Sequence, residues 1–364
     1  MKAAVVVGAR PNFMKAAPLM REFGTRDGIE AFLVHTGQHY DQNMSRIFFD
    51  DLNLPRPDIY LGIGSGTHAV QTAGVMVEFE RVVKKEQPDL IIVVGDVNST
   101  LACSLVGAKQ HIPVAHVEAG LRSFDKRMPE EINRMVTDIL SDFCFTTSPE
   151  AEYNLKREGV GTERIFFVGN IMIDSLKSYL EKSEESSILE DLGLSGNDYI
   201  LVTLHRPSNV DDPDQFRALF EVLARLAETH PVVFPMHPRT RKVMEKAGIK
   251  DDGNSDFRII QPVGYLDFLK GMKNARLVIT DSGGIQEETT VLGVPCLTVR
   301  DNTERPITVQ MGTNTLVGTR AEDLYPAAME VLEAEVGDYD IPPLWDGRTA
   351  VRIADIIEEA FDDE

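Results

Sequence analysis

At 364 residues the chain is too long for one ordinary hydrophobic core and suits two domains of roughly 150 to 200 residues each. Its 43% hydrophobic and 26% charged residues are typical of a soluble globular protein, and its net charge of −21 argues against binding to a nucleic-acid backbone, which needs a basic face. No apolar run approaches the roughly 20 residues that span a bilayer, and Met1-Lys2 leads directly into a strand, so we predict a cytoplasmic protein without a membrane segment.

The first half of the chain alternates short β-branched runs with helical segments. Because these runs are continuously apolar rather than alternating, they predict a parallel sheet that is buried on both faces. The predicted strands cover residues 3–7, 31–36, 90–94, 114–117, 143–147 and 165–168.

The first predicted strand leads into Gly8-Ala-Arg-Pro, which places Pro11 at the start of a helix and two cations, Arg10 and Lys15, near the end of the strand. The Gly-x-Gly-x-x-Gly turn of dinucleotide-binding proteins is missing here, so no bound nicotinamide is expected. Arg10 and Lys15 are candidates to neutralise a diphosphate, with ordinary solvated cations as the alternative.

Carboxylates follow two further strands and open a helix: Asp96, Glu118, Glu130 and Glu131. If they converge, mutual repulsion and burial should raise at least one pKa, which leaves one acid and one base for moving protons. Each carboxylate also has a structural interpretation. Asp96 could cap the helix near Asn98, Glu118 could pair with Arg122, and Glu130 and Glu131 could complement a helix N-terminus.

The second half repeats the pattern with predicted strands at residues 199–204, 232–236, 257–261, 277–280 and 295–299. We therefore predict an α/β protein with two doubly wound, Rossmann-like domains, 1–169 and 170–348, whose cleft is the default ligand site. The segment 349–361 spaces its apolar residues like one face of a helix and is expected to pack against the first domain.

Two of these strands end in a histidine beside an arginine, His205-Arg206 and His237-Pro-Arg239. Two such pairs, together with the carboxylates, favour a substrate site over isolated structural histidines. A metal site is not expected, because the histidines lack metal-ligand spacing and the three cysteines form no Cys-x-x-Cys pair.

The segment Asp281-Ser-Gly-Gly-Ile-Gln-Glu-Glu288 follows an apolar run and leads into a helix. A tight glycine turn at a helix N-terminus presents unpaired N–H groups and a positive dipole end, so it predicts a diphosphate site at Ser282, Gly283 and Gly284. Glu288 could then accept hydrogen bonds from two ribose hydroxyls. The alternative is that Ser282 only caps the helix.

Taken together, these motifs resemble the non-hydrolysing UDP-N-acetylglucosamine 2-epimerases over nearly the whole chain. The motifs are Gly8-Ala-Arg-Pro with Lys15, His116-Val-Glu-Ala-Gly-Leu-Arg122, Pro129-Glu-Glu-Ile-Asn-Arg134, His205-Arg206, the segment 281–288 and Arg300-Asp-Asn-Thr-Glu-Arg-Pro306. The resemblance implies the glycosyltransferase-B architecture, a homodimer, and interconversion of UDP-N-acetylglucosamine and UDP-N-acetylmannosamine without a metal or redox cofactor.

The resemblance also assigns roles to residues at matching positions. It implies an acid/base set of Asp96, Glu118, Glu130 and His205, with Glu131 and Arg134 in the same substrate site. The implied diphosphate contacts are Arg10, Lys15, His237, Ser282, Gly283, Gly284 and Arg305, the implied ribose contact is Glu288, and the implied uracil-stacking residue is Phe268.

Two departures from the family pattern concern a second, activating substrate site. Many bacterial members have Gln-His-Arg and His-Arg-Arg-Glu-Asn where this chain has Gln38-His-Tyr40 and His205-Arg-Pro-Ser-Asn209. Tyr40 provides no guanidinium, and Pro207 has neither charge nor an N–H donor, so allosteric activation is not expected. Four alternatives remain open: a 2-epimerase of UDP-2,3-diacetamido uronic acids, a hydrolysing epimerase, a UDP-sugar glycosyltransferase and a non-enzymatic sugar-nucleotide sensor.

Overall fold

The structure, a computed structural model, describes residues 1–37, 56–194, 198–249, 256–334, 337 and 339–362, without the side chains of Arg10 and Arg239. Gln38, His39 and Tyr40 lie outside the described residues. The chain forms two compact units, of which the first is Met1–Ser178 with Pro343–Glu364 and the second is Tyr179–Pro342.

The first unit contains a seven-stranded parallel sheet with strand order β3-β2-β1-β4-β5-β6-β7. Its central strands are buried on both faces, as their continuous apolar runs predict. The strands are β1 (Lys2–Val7), β2 (Glu30–His35), β3 (Ile59–Tyr60), β4 (Leu90–Val94), β5 (Val114–Ala119), β6 (Phe143–Thr146) and β7 (Ile165–Phe167). The described helices are α1 (Arg10–Phe23), α2 (His68–Glu86), α3 (Asn98–Gln110), α4 (Pro129–Leu140), α5 (Pro149–Arg157) and α6 (Ile171–Ser183), and a 3-10 turn covers Thr162–Arg164.

The second unit contains a six-stranded parallel sheet with order β10-β9-β8-β11-β12-β13. The strands are β8 (Ile200–Thr203), β9 (Val232–Pro235), β10 (Phe257–Ile260), β11 (Leu277–Thr280), β12 (Cys296–Thr298) and β13 (Asn314–Leu316). The helices are α7 (Ile188–Asp191), α8 (Pro207–Val210), α9 (Pro213–Leu226), α10 (Pro238–Lys246), α11 (Tyr265–Lys273), α12 (Gly283–Leu292), α13 (Ile307–Gln310) and α14 (Ala321–Glu333), and α15 (Thr349–Asp362) returns to the first unit. Both sheets have the Rossmann-like alternation that the sequence predicted.

The sequence did not predict β3 or β13. Each is an edge strand of two or three residues, which is too short to present the continuous apolar run by which the other strands were predicted. Their place in the sheet depends on pairing with β2 and β12, which the local sequence does not specify.

The sequence placed the division between the domains at residue 169, whereas the first unit continues to Ser178. Two residues of α6 account for this difference. Asp174 accepts hydrogen bonds from the backbone N–H groups of Thr349 (3.1 Å) and Ala350 (2.8 Å), and the Ser175 hydroxyl donates to the carbonyl of Met14. The first half of α6 is therefore hydrogen-bonded to two helices of the first unit, α1 near the start of the sequence and α15 near its end.

Helix α15 packs against α1. Its inner face buries Ile353 and Ile357, and at the rim Arg26, in the loop after α1, lies 2.8 Å from an Asp355 carboxylate oxygen and 2.7 Å from one of Glu358. Among the described residues, no helix combines the length and the apolar character that crossing a membrane requires.

Candidate active site

The carboxyl ends of β1, β4 and β5 are neighbours in the first sheet, and one asparagine joins two of them. The side-chain oxygen of Asn12 accepts the N–H groups of Gly8 (3.2 Å) and Ala9 (2.9 Å), and its amide nitrogen donates to the carbonyl of Val94 (3.1 Å). The start of α1, which carries Lys15, is thereby fixed beside the end of β4, which carries Asp96.

Glu118 forms a buried ion pair with Lys15. It has a φ of +73°, and the pairing register of β5 with β6 shifts between Val117 and Ala119, so the strand bulges at this residue. One carboxylate oxygen, Oε2, contacts the Lys15 ammonium, while Oε1 is buried without a hydrogen-bond partner among the described residues. A buried carboxylate with one unsatisfied oxygen is equipped to bind a ligand hydrogen or to accept a proton.

The structural alternative that pairs Glu118 with Arg122 is wrong. Arg122 turns instead to Asp138 (2.7 Å) and to Glu158, which it contacts with two nitrogens (2.9 and 2.5 Å). Glu118 therefore forms its ion pair with Lys15 instead.

Asp96 is half-buried and pairs with Arg134 on α4. The alternative that Asp96 caps α3 is also wrong, since Val97 occupies the N-cap position and no side chain bonds there. Arg134 is itself held by Glu131, whose Oε2 accepts its Nε (3.0 Å) and Nη2 (2.5 Å). Glu131 thus holds the buried Arg134 guanidinium, and that guanidinium in turn fixes the Asp96 carboxylate.

Glu131 and Glu130 both open α4, as the sequence indicates, but their surroundings differ. Glu131 is buried and accepts hydrogen bonds from Ser123 and from the backbone N–H of Phe124. Burial opposes its ionisation, yet these bonds and Arg134 outweigh burial and hold the pKa of Glu131 below its usual range. Glu130 is half-buried and has no ion pair among the described residues, so its carboxyl group is available to a ligand.

In the second unit, His205 is oriented by Asp281. Nδ1 of His205 lies 2.8 Å from Oδ1 of the buried Asp281, which also accepts the backbone N–H of Arg206 (2.9 Å) and the amide of Asn209 (3.0 Å). Burial opposes ionisation of Asp281, but the hydrogen bonds outweigh it and hold its pKa below the usual range. With Nδ1 bonded to a carboxylate, Nε2 is the ring nitrogen left for proton transfer.

The glycine turn between β11 and α12 has the geometry of an anion site. Ser282 is the N-cap residue of α12, but its hydroxyl makes no capping bond, so the alternative that it only caps the helix is wrong. A Cβ at Gly284 would meet no heavy atom within 4 Å, which leaves the first turn of the helix open to a ligand. The helix dipole and the free N–H groups favour a negative charge at this position.

Arg305 lies directly against this turn. A Cβ at Gly283 would fall 2.6 Å from the Arg305 Nη1 nitrogen, so only glycine lets the guanidinium approach so closely. Glu287 and Glu304 hold Arg305 in place, with oxygens 2.8 Å from Nε and 3.3 Å from Nη1. A guanidinium and a helix N-terminus together suit a diphosphate.

Glu288 is buried on α12 and accepts a hydrogen bond of 2.6 Å from the Tyr265 hydroxyl. Burial raises the pKa of Glu288 to about 7; the Tyr265 hydrogen bond opposes this shift and the nearby Glu287 carboxylate adds to it.

Three further residues of the predicted site lie elsewhere in the two units. Phe268, on the same helix as Tyr265, lines an apolar pocket together with Val263, with Leu201 of β8 and with Pro235 of β9. His237 is exposed and immediately precedes α10. Arg10 is the first residue of α1, and its side chain lies outside the described residues.

Sequence reasoning missed three parts of this arrangement: Asn12, Tyr265, and the pair of His116 and Asp138. His116 lies between Asp138 (Nδ1 to Oδ1, 2.6 Å) and the carbonyl of Gly95 (Nε2 to O, 2.8 Å), all in the interior. Asn12 and Tyr265 each stand within the first turn of a helix that follows a strand end, which is the one local signal that could have indicated them.

The two Rossmann-like parallel sheets, each followed at its strand ends by helices, are those of the glycosyltransferase-B fold. A family model described as UDP-N-acetylglucosamine 2-epimerase matches residues 21–358. The UDP-N-acetylglucosamine 2-epimerase of Methanocaldococcus jannaschii is 43% identical over 364 residues, which cover 98% of this chain and 99% of that protein. The UDP-2,3-diacetamido-2,3-dideoxy-D-glucuronate 2-epimerase of Pseudomonas aeruginosa is 41% identical over 361 residues, with 98% and 99% coverage.

A crystal structure of the Methanocaldococcus jannaschii enzyme in complex with UDP-GlcNAc and UDP superimposes with a TM-score of 0.90 at 43% identity and covers 99% of this chain and 100% of that chain. The chain therefore belongs to the UDP-N-acetylglucosamine 2-epimerase family, and it is an isomerase of the non-hydrolysing class.

Proposed function

We propose that this protein interconverts UDP-N-acetylglucosamine and UDP-N-acetylmannosamine by eliminating UDP and adding it back. The observation that carries the proposal is Glu118, a buried carboxylate at a strand bulge whose Oε1 has no partner among the described residues and whose Oε2 is neutralised by Lys15. Such a group can accept a proton from carbon without competing with water.

The chemistry of the sugar favours elimination. The hydrogen on C2 has no adjacent carbonyl, so the carbanion that simple deprotonation forms would have no stabilisation. When the C1–O bond to UDP breaks as C2 loses its proton, the electrons of the C2–H bond form a C1–C2 double bond and UDP departs with the C1–O pair. The product is a 2-acetamidoglucal, and protonation on the opposite face of C2 with return of UDP to C1 gives the epimer.

In this proposal one group of residues serves proton transfer and a second group binds the UDP moiety. Proton transfer falls to Asp96, Glu118, Glu130 and His205, with Glu131 and Arg134 positioning Asp96. The departing diphosphate gains negative charge, which backbone N–H groups and cations stabilise more strongly in the transition state than in the bound substrate. The diphosphate set is Arg10, Lys15, His237, Ser282, Gly283, Gly284 and Arg305, with Glu288 for the ribose and Phe268 for the uracil.

An NMR time course with UDP-N-acetylglucosamine in deuterated water tests the proposal. The expected product is UDP-N-acetylmannosamine with deuterium at C2. Each passage through the glucal transfers the C2 proton to a protein base, and C2 then takes up deuterium because the protein acid exchanges with the solvent. Traces of free UDP and 2-acetamidoglucal should accumulate as the intermediate leaks. Epimerisation with the original C2 hydrogen retained would rule out this route, and free sugar as the main product would indicate hydrolysis.

A second candidate substrate is a UDP-2,3-diacetamido uronic acid, favoured by the 41% identity to the Pseudomonas aeruginosa relative that bears this name. The two candidates are distinguished by direct competition. Both UDP-sugars are supplied at equal concentration in deuterated water, and the ratio of C2 deuterium incorporation gives the ratio of kcat/KM. Faster exchange of the uronic acid would make it the substrate and would leave the elimination chemistry unchanged.

We further infer a homodimer formed by the outer faces of α2 and α4. These helices both pack against α3, and they expose aliphatic side chains at helical spacing. The exposed residues are Val70 and Val77 on α2 and Ile132, Val136 and Ile139 on α4. Sedimentation should give about twice the mass of the chain, and Ile139→Glu should give a monomer. A wild-type protein that sediments as a monomer would refute the dimer.

A further inference from the structure

Non-glycine residues with a left-handed backbone are rare, and each needs a cause. The described chain has five: Gln87, His111, Glu118, Phe124 and Leu344. Gln87 and His111 end α2 and α3, where a left-handed C-cap is ordinary. Glu118, Phe124 and Leu344 end no helix; Glu118 lies at the bulge of β5, and Phe124 lies in the connection that leads from β5 into α4.

Phe124 is held in this conformation by the buried carboxylate of Glu131. The Phe124 N–H donates to Glu131 Oε1 (2.8 Å), while the N–H and hydroxyl of Ser123 donate to Oε2 (3.0 and 3.1 Å). Glu131 is fixed in turn by Arg134, the residue that holds Asp96. The strained backbone of Phe124 is therefore imposed by the same network that positions a proposed acid/base group.

The conformation turns the phenyl ring outward. Phe124 is 71% exposed at φ +59°, and it takes part in no ring stacking or cation–π contact with other described residues. Neither core packing nor backbone preference accounts for such a residue, since glycine or asparagine would relieve the backbone strain and a polar side chain would suit the solvent.

We propose that Phe124 is a specificity-determining residue that packs its ring against the 2-acetamido group of the UDP-sugar. This inference rests on the proposed function. The Phe124 backbone is linked to Asp96 through the buried side chains of Glu131 and Arg134, and the acetamido group is attached to C2, the carbon that reacts. Its methyl is apolar and its amide is planar, so an aromatic face gains contact area and excludes water there. UDP alone lacks this group and gains nothing from the ring.

Three variants separate the ring from the strain. Phe124→Ala removes the ring and keeps a side chain at the left-handed position, Phe124→Gly removes both, and Phe124→Tyr keeps the ring. The matched control is Tyr153→Ala, which removes another exposed aromatic ring of the first unit. The readouts are kcat/KM for UDP-N-acetylglucosamine, the Kd of UDP by calorimetry, and the melting temperature.

Phe124→Ala and Phe124→Gly should each lower kcat/KM about tenfold, which corresponds to about 1.4 kcal/mol. The Kd of UDP should stay within about twofold of wild type, and Phe124→Gly should melt at or above the wild-type temperature because the strain is gone. Phe124→Tyr and Tyr153→Ala should remain near wild type. Wild-type kcat/KM in Phe124→Gly, or an equal loss of UDP affinity, would overturn the proposal.

A failure of the proposed function gives a different result. If the wild-type protein turns over neither UDP-sugar, the function is wrong, and the proposal is then judged on binding alone. The Kd of UDP-N-acetylglucosamine should still weaken about tenfold in Phe124→Gly while the Kd of UDP stays constant. Equal Kd values for wild type and Phe124→Gly would exclude a contact between the ring and the sugar.

Discussion

At the scale of single residues, Glu288 shows how burial sets a protonation state. Its carboxyl group is enclosed on α12 and receives one hydrogen bond, from Tyr265, which is fewer than a buried carboxylate needs to remain ionised. Burial accordingly raises the pKa of Glu288 to about 7. Below about pH 7 this carboxyl group, which is proposed to bind ribose, therefore carries a proton.

This shift predicts the stability of Glu288→Gln. Between pH 4.5 and about 7 the folded state retains a proton that the unfolded chain releases, so wild-type stability falls as the pH rises through this range. Glutamine keeps an acceptor for Tyr265 and has no proton to lose. Urea unfolding at about pH 5 and about pH 8 should show the advantage of the variant growing by about 2 to 3 kcal/mol. An advantage independent of pH would contradict the shift.

The proposed acid/base residues give a second prediction at this scale. Removing a positioned proton-transfer group should lower turnover by about 100-fold or more, while UDP affinity changes little in the carboxylate variants. The variants are Asp96→Asn, Glu118→Gln, Glu130→Gln and His205→Asn. Glu152→Gln, which breaks a partly exposed ion pair on α5, is the control. Near-wild-type turnover in Glu118→Gln would return Glu118 to a structural pairing with Lys15.

At the scale of elements, α4 organises the first unit. Its first turns carry Glu130, Glu131 and Arg134, and its last turn carries the buried Asp138. Asp138 contacts His116 and Arg122 and accepts the N–H of Gly120 (3.1 Å). Burial opposes ionisation of Asp138, but His116 and Arg122 outweigh it and hold its pKa below the usual range. One helix thus fixes residues on both sides of Glu118.

Asp138→Asn should therefore be strongly destabilising. It leaves Arg122 and His116 buried beside an amide that offers a donor where Gly120 and Arg122 need an acceptor. We expect a loss of about 3 to 5 kcal/mol in the free energy of unfolding. Glu152→Gln removes an acid from an i,i+4 pair and should cost less than about 0.5 kcal/mol. A loss of that smaller size in Asp138→Asn would show that the network is not an ionic unit.

At the scale of the whole molecule, the chain carries a net charge of −21 but is proposed to bind a diphosphate. At the proposed diphosphate site the local charge is positive, since Arg305 and the N-terminus of α12 meet at one glycine turn. The resemblance implies that Tyr40 and Pro207 stand where many bacterial members carry charged residues of an activating site, and Pro207 begins α8.

We therefore expect no activation by substrate. Cooperativity is a coupling free energy of about 1 to 3 kcal/mol and requires contacts that differ between states. Initial velocity against UDP-N-acetylglucosamine should be hyperbolic, and UDP-N-acetylmannosamine should be converted without added gluco substrate. A sigmoidal curve, or a reverse reaction that starts only when the gluco substrate is present, would show that other residues form the activating site.

The sequence by itself determined the two parallel sheets and the glycine turn before α12. Both are local properties: a continuously apolar run is a buried strand wherever it pairs, and Ser282-Gly283-Gly284 can form an open helix N-terminus whatever surrounds it. The motifs also identified Asp96 and Glu118 as candidates, because each lies at or just after a strand end, and the resemblance to the family implied Arg305.

Only the tertiary structure decided the partners of these side chains. Glu118 joins Lys15, 103 residues away in sequence, and Arg122 joins Asp138 and Glu158, because the sheet order places the ends of β1, β4 and β5 side by side and packs α4 over them. The edge strands β3 and β13 and the bond between Tyr265 and Glu288 were missed for the same reason. Each depends on contacts between segments distant in sequence, and local composition does not encode which segments become neighbours.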